Sequence, residues 1–228
     1  MTKLLVLLLL WQGAFKLALP GFEFSFPRDH GNHPEYKFEW WYWTGHLVSD
    51  KGRRFGFQVT FFRVGIKRDF NSVSNWSLED LYPAHFAITD IETGRFLYYQ
   101  KLSRTSPGSV GSSTGNLNVW NQNWSARVED GGIRLQVNSK LAALDLRMKS
   151  LKDPVIHGEN GISPKGNQLG QSSHYYSLTR LSVLGHIRVE ERSFDVNGQA
   201  WMDHEFSTNQ LAENQIGWDW FSLQLDNN

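Results

Sequence analysis

Three ionisable side chains stand in a row in the stretch "AWMDHEFS", residues 200–207: Asp203, His204 and Glu205. If the stretch is a strand, alternate residues face opposite ways. Asp203 and Glu205 then share a face with Trp201, while His204 points the other way with Met202. Two carboxylates on one face raise one pKa, so one of them can hold a proton and donate it. The bland alternative is a strand end emerging into solvent. These three residues are the candidate catalytic group.

A second group lies in "EWWYWTGHL", residues 39–47, and in "FGFQVTFFR", residues 55–63. The turn residues Asp50, Lys51 and Gly52 close these runs into a hairpin, with Gly52 in the left-handed region. That register sets Leu47 opposite Phe55, Trp43 opposite Val59, Trp41 opposite Phe61 and Glu39 opposite Arg63. Arg63 shares the face of the phenylalanines and must point inward, where a charge is costly unless paired. Glu39 is the partner by register. The pair either closes one end of a barrel or anchors a ligand. Trp41, Trp43 and Trp201, with Arg63, are the expected ligand-binding set, lining a partly open cavity; the alternative is that the inward rings fill a small barrel and are only core. Trp40, Tyr42 and His46 are expected to face outward or toward a neighbouring element.

The third group is "PRDHGNHPE", residues 27–35, where Asp29, His30, His33 and Glu35 have metal-ligand chemistry. The His-x-x-His spacing on a loop is not specific, and no strong third ligand adjoins it. Neither a metal nor another cofactor is expected. No Gly-x-Ser-x-Gly elbow, P-loop or dinucleotide fingerprint is present, and without a single cysteine there is no thiol nucleophile.

The elements that must position these residues are strands. Period-two alternation runs through residues 54–64, 84–91, 95–103, 117–128, 133–138, 142–151, 175–181, 186–191, 194–205 and 218–225. The connectors "ETGR", "EDGG" and "DVNG" carry hairpin chemistry. Two stretches, 65–82 and 152–173, read as long polar loops. Such a series is an antiparallel barrel or sandwich. The 228 residues carry a formal net charge of zero, which argues against a nucleic-acid partner. Lys3 followed by an apolar run over residues 4–11, too short to span a bilayer, reads as a signal peptide. Export to the periplasm or the medium follows, with residues 1–20 removed and making few packing contacts. The strand at 218–225 ends in a turn start, so the chain reads as truncated.

The stretches "FPRDHGNHPEYKFEWWYWTGHL", "FGFQVTFFR" and "AWMDHEFS…GWDWFSLQLD" resemble the CrtC/AttH family, which includes carotenoid 1,2-hydratase and AttH-like proteins. The resemblance implies an all-β chain: a lipocalin-like antiparallel barrel over residues 21–215, the first of two, with residues 216–228 as the opening strand of a truncated second. In the hydratase branch a histidine matching His204 is implicated in activity, and a tryptophan usually stands where this chain has Phe206. The resemblance therefore implies a protein binding an extended apolar small molecule, a lipid or isoprenoid. The alternative is a hydro-lyase, or an isomerase or cyclase, acting on a polyene. Export is compatible with association with a membrane or a transport system, and oligomeric state is left open.

Overall fold

Large apolar side chains at every second position give each strand one face that must leave water, and successive hairpins bring those faces together. The computed structural model describes residues 15–66, 79–159, 161–209, 211, 215–217 and 219–225. The strands are β1 (Phe38–Ser49), β2 (Arg54–Gly65), β3 (Asp80–Asp90), β4 (Arg95–Arg104), β5 (Val110–Ser112), β6 (Asn118–Asn121), β7 (Trp124–Glu129), β8 (Gly132–Asn138), β9 (Ala142–Ser150), β10 (Val155–Ile156), β11 (Ile162–Pro164), β12 (Ser172–Val189) and β13 (Arg192–Ser207). They form one antiparallel sheet in the order β4-β3-β2-β1-β13-β12-β9-β8-β7-β6-β5, with β10 and β11 added alongside β12.

The sheet curls until its two ends meet, and side chains rather than a strand ladder close the gap. Lys101 on β4 donates to the Asn121 carbonyl of β6 at 3.0 Å, and Ser103 donates to Asn121 Oδ1 at the same distance. Tyr82 and Ser112 share a hydrogen bond of 2.9 Å nearby. The result is an all-β, nearly closed lipocalin-like barrel. Trp41, Trp43, Phe61, Phe86 and Trp124 are fully buried in one continuous cluster that fills the inner face.

The first hairpin has the register read from its turn: Leu47 faces Phe55, Trp43 faces Val59, Trp41 faces Phe61 and Glu39 faces Arg63. Gly52 takes φ +79° there, a conformation open to glycine at little cost. Other expectations need correction. Residues 117–128 are two strands, because Gln122 turns the chain at φ +60°. The runs 175–181 and 186–191 fuse into β12, interrupted only by a bulge between Leu178 and Leu181. "DVNG" is no turn. Gly198 lies inside β13 between Leu47 and Val183, and a β-carbon on it would come within 2.0 Å of the His46 carbonyl oxygen. Here glycine serves a close backbone approach rather than a reversal. The stretch 152–173 contains β10 and β11. Of 65–82, residue 65 ends β2 and residues 80–82 open β3, while 67–78 lie outside the described residues. Residues 219–225, expected as a strand, form none, and residue 218 lies outside the described residues.

At the other end, residues 1–14, which carry the apolar run, also lie outside the described residues. The chain is packed before residue 20, contrary to expectation. Lys16 donates its N–H to the Glu35 carbonyl at 2.8 Å, and Ser172 donates to the Ala18 carbonyl at 2.7 Å. Ala18 is buried with Tyr36 and Phe206 because this segment closes one end of the barrel.

Replacing Gly198 with alanine is expected to push β13 off β1 and cost about 2 kcal/mol, the usual scale of overpacking. Urea unfolding reads this as a lower midpoint. An unchanged midpoint would show that the two strands do not approach as described.

Candidate functional site

The alternation along β13 separates the three ionisable residues. His204 pairs with Trp41 on the inner face, whereas Asp203 pairs with Tyr42 and Glu205 with Trp40 on the outer face. Two polar sites result, back to back across the sheet.

The inner site is built around Arg63, which is fully buried and has a partner for each arm of its guanidinium. Its Nε donates to Glu39 Oε2 at 3.1 Å and its Nη1 to Asp80 Oδ1 at 3.0 Å. Its Nη2 donates to the His33 carbonyl at 3.0 Å and the Tyr36 carbonyl at 2.6 Å. Glu39 also receives the His33 backbone N–H, 3.0 Å from each carboxylate oxygen. His33 has Nδ1 at 2.9 Å from Glu39 and Nε2 at 3.3 Å from Asp29, and its ring stacks on Phe206 at 3.6 Å. His204 lies with Nε2 at 2.9 Å from Glu39 Oε1 and its ring against Trp41. Its Nδ1 is 3.2 Å from the Tyr176 hydroxyl, which in turn is 2.6 Å from His30 Nδ1.

Burial opposes ionisation of Glu39, but hydrogen bonds from His204 and His33, with the charges of His33 and Arg63, hold its pKa below the usual carboxylate range. Burial likewise opposes a charge on His33, yet bonding to Asp29 and Glu39 raises its pKa to about 9. His204 has no second carboxylate, so burial wins and its pKa falls. The donor atoms of His33, Glu39 and His204 lie within 4.8 Å of one another, a spacing a metal ion could use. The chemistry of the set fits a proton better, because both His33 nitrogens already face carboxylates and Arg63 occupies the second oxygen of Glu39. His33 therefore belongs to the closed ion-pair network, and Glu35 is not part of it among the described contacts.

The outer site is a groove of about 650 Å³ along β1, β2, β12 and β13. Phe38, Trp40, Tyr42 and Phe62 form its apolar wall, Trp220 borders it, and Asp203, Glu205 and Tyr175 supply polar groups. Trp41 and Trp43 do not line it. They are one residue out of phase with it and lie in the filled core, so the open space is on the opposite face of their strand from the one expected. Trp201 acts on Asp203 instead, donating from Nε1 to Oδ1 at 2.8 Å. Tyr175 donates to the same oxygen at 2.9 Å and Ser177 also does so. Asp203 Oδ2 is buried and has no hydrogen-bond partner among the described residues. Glu205 accepts from Ser173 and pairs with Lys165 at 2.9 Å. Burial raises the pKa of both carboxyl groups, against the bonds from Ser177, Trp201 and Tyr175 to Asp203 and against Lys165 at Glu205.

Trp220 was out of reach of sequence reasoning because it comes from the irregular C-terminal segment. It meets Tyr42 edge to face at 4.9 Å and donates to the Tyr175 hydroxyl at 3.3 Å. Trp40, Tyr42 and Phe62 did carry a signal. An outer strand face bearing three large rings is unlike a face turned to water.

Fold and site together define a lipocalin-like barrel with a closed inner end and an aromatic groove outside it. A profile of the AttH-like family matches residues 17–228, and the chain belongs to that family. The crystal structure of an AttH protein from Nitrosomonas europaea superposes with a TM-score of 0.77 at 33% identity, over 88% of this chain and 60% of that one. Kievitone hydratase from Nectria haematococca superposes with a TM-score of 0.62 at 12% identity, over 82% of this chain and 52% of that one, a likeness of fold alone. The chain thus spans about 60% or less of the length of these relatives. No curated protein matches it.

Removing the Arg63 guanidinium by Arg63→Met strands two carboxylates in the barrel end and is expected to cost about 3–5 kcal/mol in urea unfolding. A loss below about 1 kcal/mol would contradict the network. The raised pKa of His33 has a sign that can be read directly. Its stabilisation is complete below pH 6.5, the ordinary value, and fades as pH rises through about 9. Tm is expected to fall across that window in the native protein and to fall less in His33→Gln. Equal slopes would show that His33 does not hold its proton.

Proposed function

We propose that the protein binds an extended apolar ligand, of the lipid or isoprenoid class, in the outer groove rather than in the barrel interior. The observation that carries this reading is the groove itself: a concave space of about 650 Å³ with an aromatic wall and a few fixed polar groups, within the range of small-molecule sites. The core supports it from the other side, since Trp41 and Trp43 are fully buried in one apolar cluster with Phe55, Phe57 and Phe61 of β2. The basic residue and short apolar run of the N-terminal sequence support export, so the ligand would be met outside the cytoplasm.

A second reading, a hydro-lyase or cyclase acting on a polyene, draws on one specific observation. Asp203 is a buried carboxyl with a raised pKa beside aromatic rings, the setting of a proton donor to an alkene. Product formation from an isoprenoid alkene that disappears in Asp203→Asn, with binding retained, would favour this reading over simple carriage.

The binding reading is tested with a fluorescent polyene fatty acid titrated into the full chain. Trp40→Ala is expected to weaken binding about tenfold, the equivalent of 1.4 kcal/mol, while Trp43→Phe changes it less than about twofold. Saturable binding that is indifferent to Trp40 would overturn it.

A further inference from the structure

We infer that the groove selects a cationic amphiphile: a substituted ammonium carried on an apolar chain, seated against Asp203 and the rings of Tyr42 and Trp220. The inference rests on the groove being the ligand site and names the chemistry that site prefers.

Asp203 is 2% exposed, and its two oxygens are treated differently. Oδ1 takes all three donors, from Ser177, Tyr175 and Trp201, and these fix the carboxyl plane. Oδ2 has none. An unpartnered buried carboxylate oxygen is rare in native proteins, because its desolvation is not offset. Three donors converging on one oxygen leave the other to meet whatever enters the groove that Asp203 lines.

What is missing at Asp203, among the described residues, is positive charge. Lys165 is 2.9 Å from Glu205 and balances that carboxylate. His157, the nearest imidazole, has its Nε2 2.6 Å from Ser177 Oγ, and burial lowers its pKa, so it brings no charge. Arg63 faces the other side of the sheet and is shared by Glu39 and Asp80. Among the described residues Asp203 forms no ion pair, so its ionised carboxylate has no counter-charge in this part of the groove. Burial raises its pKa, against the hydrogen bonds from Ser177, Trp201 and Tyr175.

The surrounding rings favour the same occupant. Tyr42 stands directly opposite Asp203 on β1, and Trp220 meets Tyr42 edge to face at 4.9 Å. Aromatic faces attract cations through their quadrupole, most strongly where water is excluded, and quaternary ammonium groups are held in this way. A ligand carboxylate would meet like charge. An alcohol would gain a hydrogen bond but no ion pair. Phe38, Trp40 and Phe62 continue the apolar wall away from Asp203, which is where the chain of such an amphiphile would lie.

The test compares three probes of one chain length, each below its micellar concentration and titrated calorimetrically into the full chain at pH 7: dodecyltrimethylammonium, dodecanol and dodecanoate. The ammonium is expected to bind at least about tenfold tighter than the alcohol, and the alcohol tighter than the carboxylate. Asp203→Asn should reduce the ammonium preference to less than about twofold while leaving dodecanol binding in place. Tyr42→Leu, which keeps apolar contact and removes the ring face, should also lower the preference, and it reports if Asp203→Asn does not fold. Dodecanol or dodecanoate binding as tightly as the ammonium would overturn the inference and leave the apolar groove intact as a site. Saturable binding of none of the three would overturn both.

Discussion

A single buried guanidinium sets the architecture of one end of this barrel. Arg63 lies on the inner face of β2, where a charge without partners would cost several kcal/mol. Its four contacts, to Glu39, Asp80 and the carbonyls of His33 and Tyr36, come from β1, from β3 and from the segment before β1. The cation therefore fixes more than a hairpin. It brings the N-terminal segment across the barrel mouth and orders it. The acids around it are matched: Glu39 and Asp80 by Arg63, with the charged His33 bridging Glu39 and Asp29, and Arg28 capping Asp29 from outside.

Closing the inner face moves the available space to the outer one. The same strands that bury Trp41, Trp43 and His204 inward must, by period two, turn Trp40, Tyr42, Asp203 and Glu205 outward. The inner residues are rigid because the core packs them. That rigidity holds the outer residues in register, so the aromatic wall and the two carboxylates keep fixed positions without support from the ligand. Structure and candidate function are two faces of one pair of strands.

The hairpin register was legible because a turn with one left-handed glycine leaves little freedom, and because an inward arginine needs an acid at a definite place. The opposite facing of Asp203 and His204 was legible for the same geometric reason. Which face would be open was not. Alternation divides residues into two sets but says nothing about how well each set fills its space, and the inner rings of β1 and β2 fill theirs. The contributions of His33 and Asp29 were also hidden, since a loop has no period and its contacts with β1 depend on how the segment folds back. Gly198 shows the ambiguity of glycine in a strand, where the same residue type marks a turn or a close approach. Trp220 joins the groove from a segment whose pattern reads as a strand, and only its packing on Tyr42 reveals its use.

A ligand on the outside of the sheet and one in the interior of the barrel are distinguishable by diffraction. Crystals of the full chain grown with a terminally brominated alkyl amphiphile would locate the bromine directly by its anomalous scattering. With ligand in the outer groove, the expected peak lies beside Trp40 and Phe62, with Trp41 and Trp43 unmoved. A peak inside the barrel, between the rings of Trp43 and Phe61, would contradict binding in that groove.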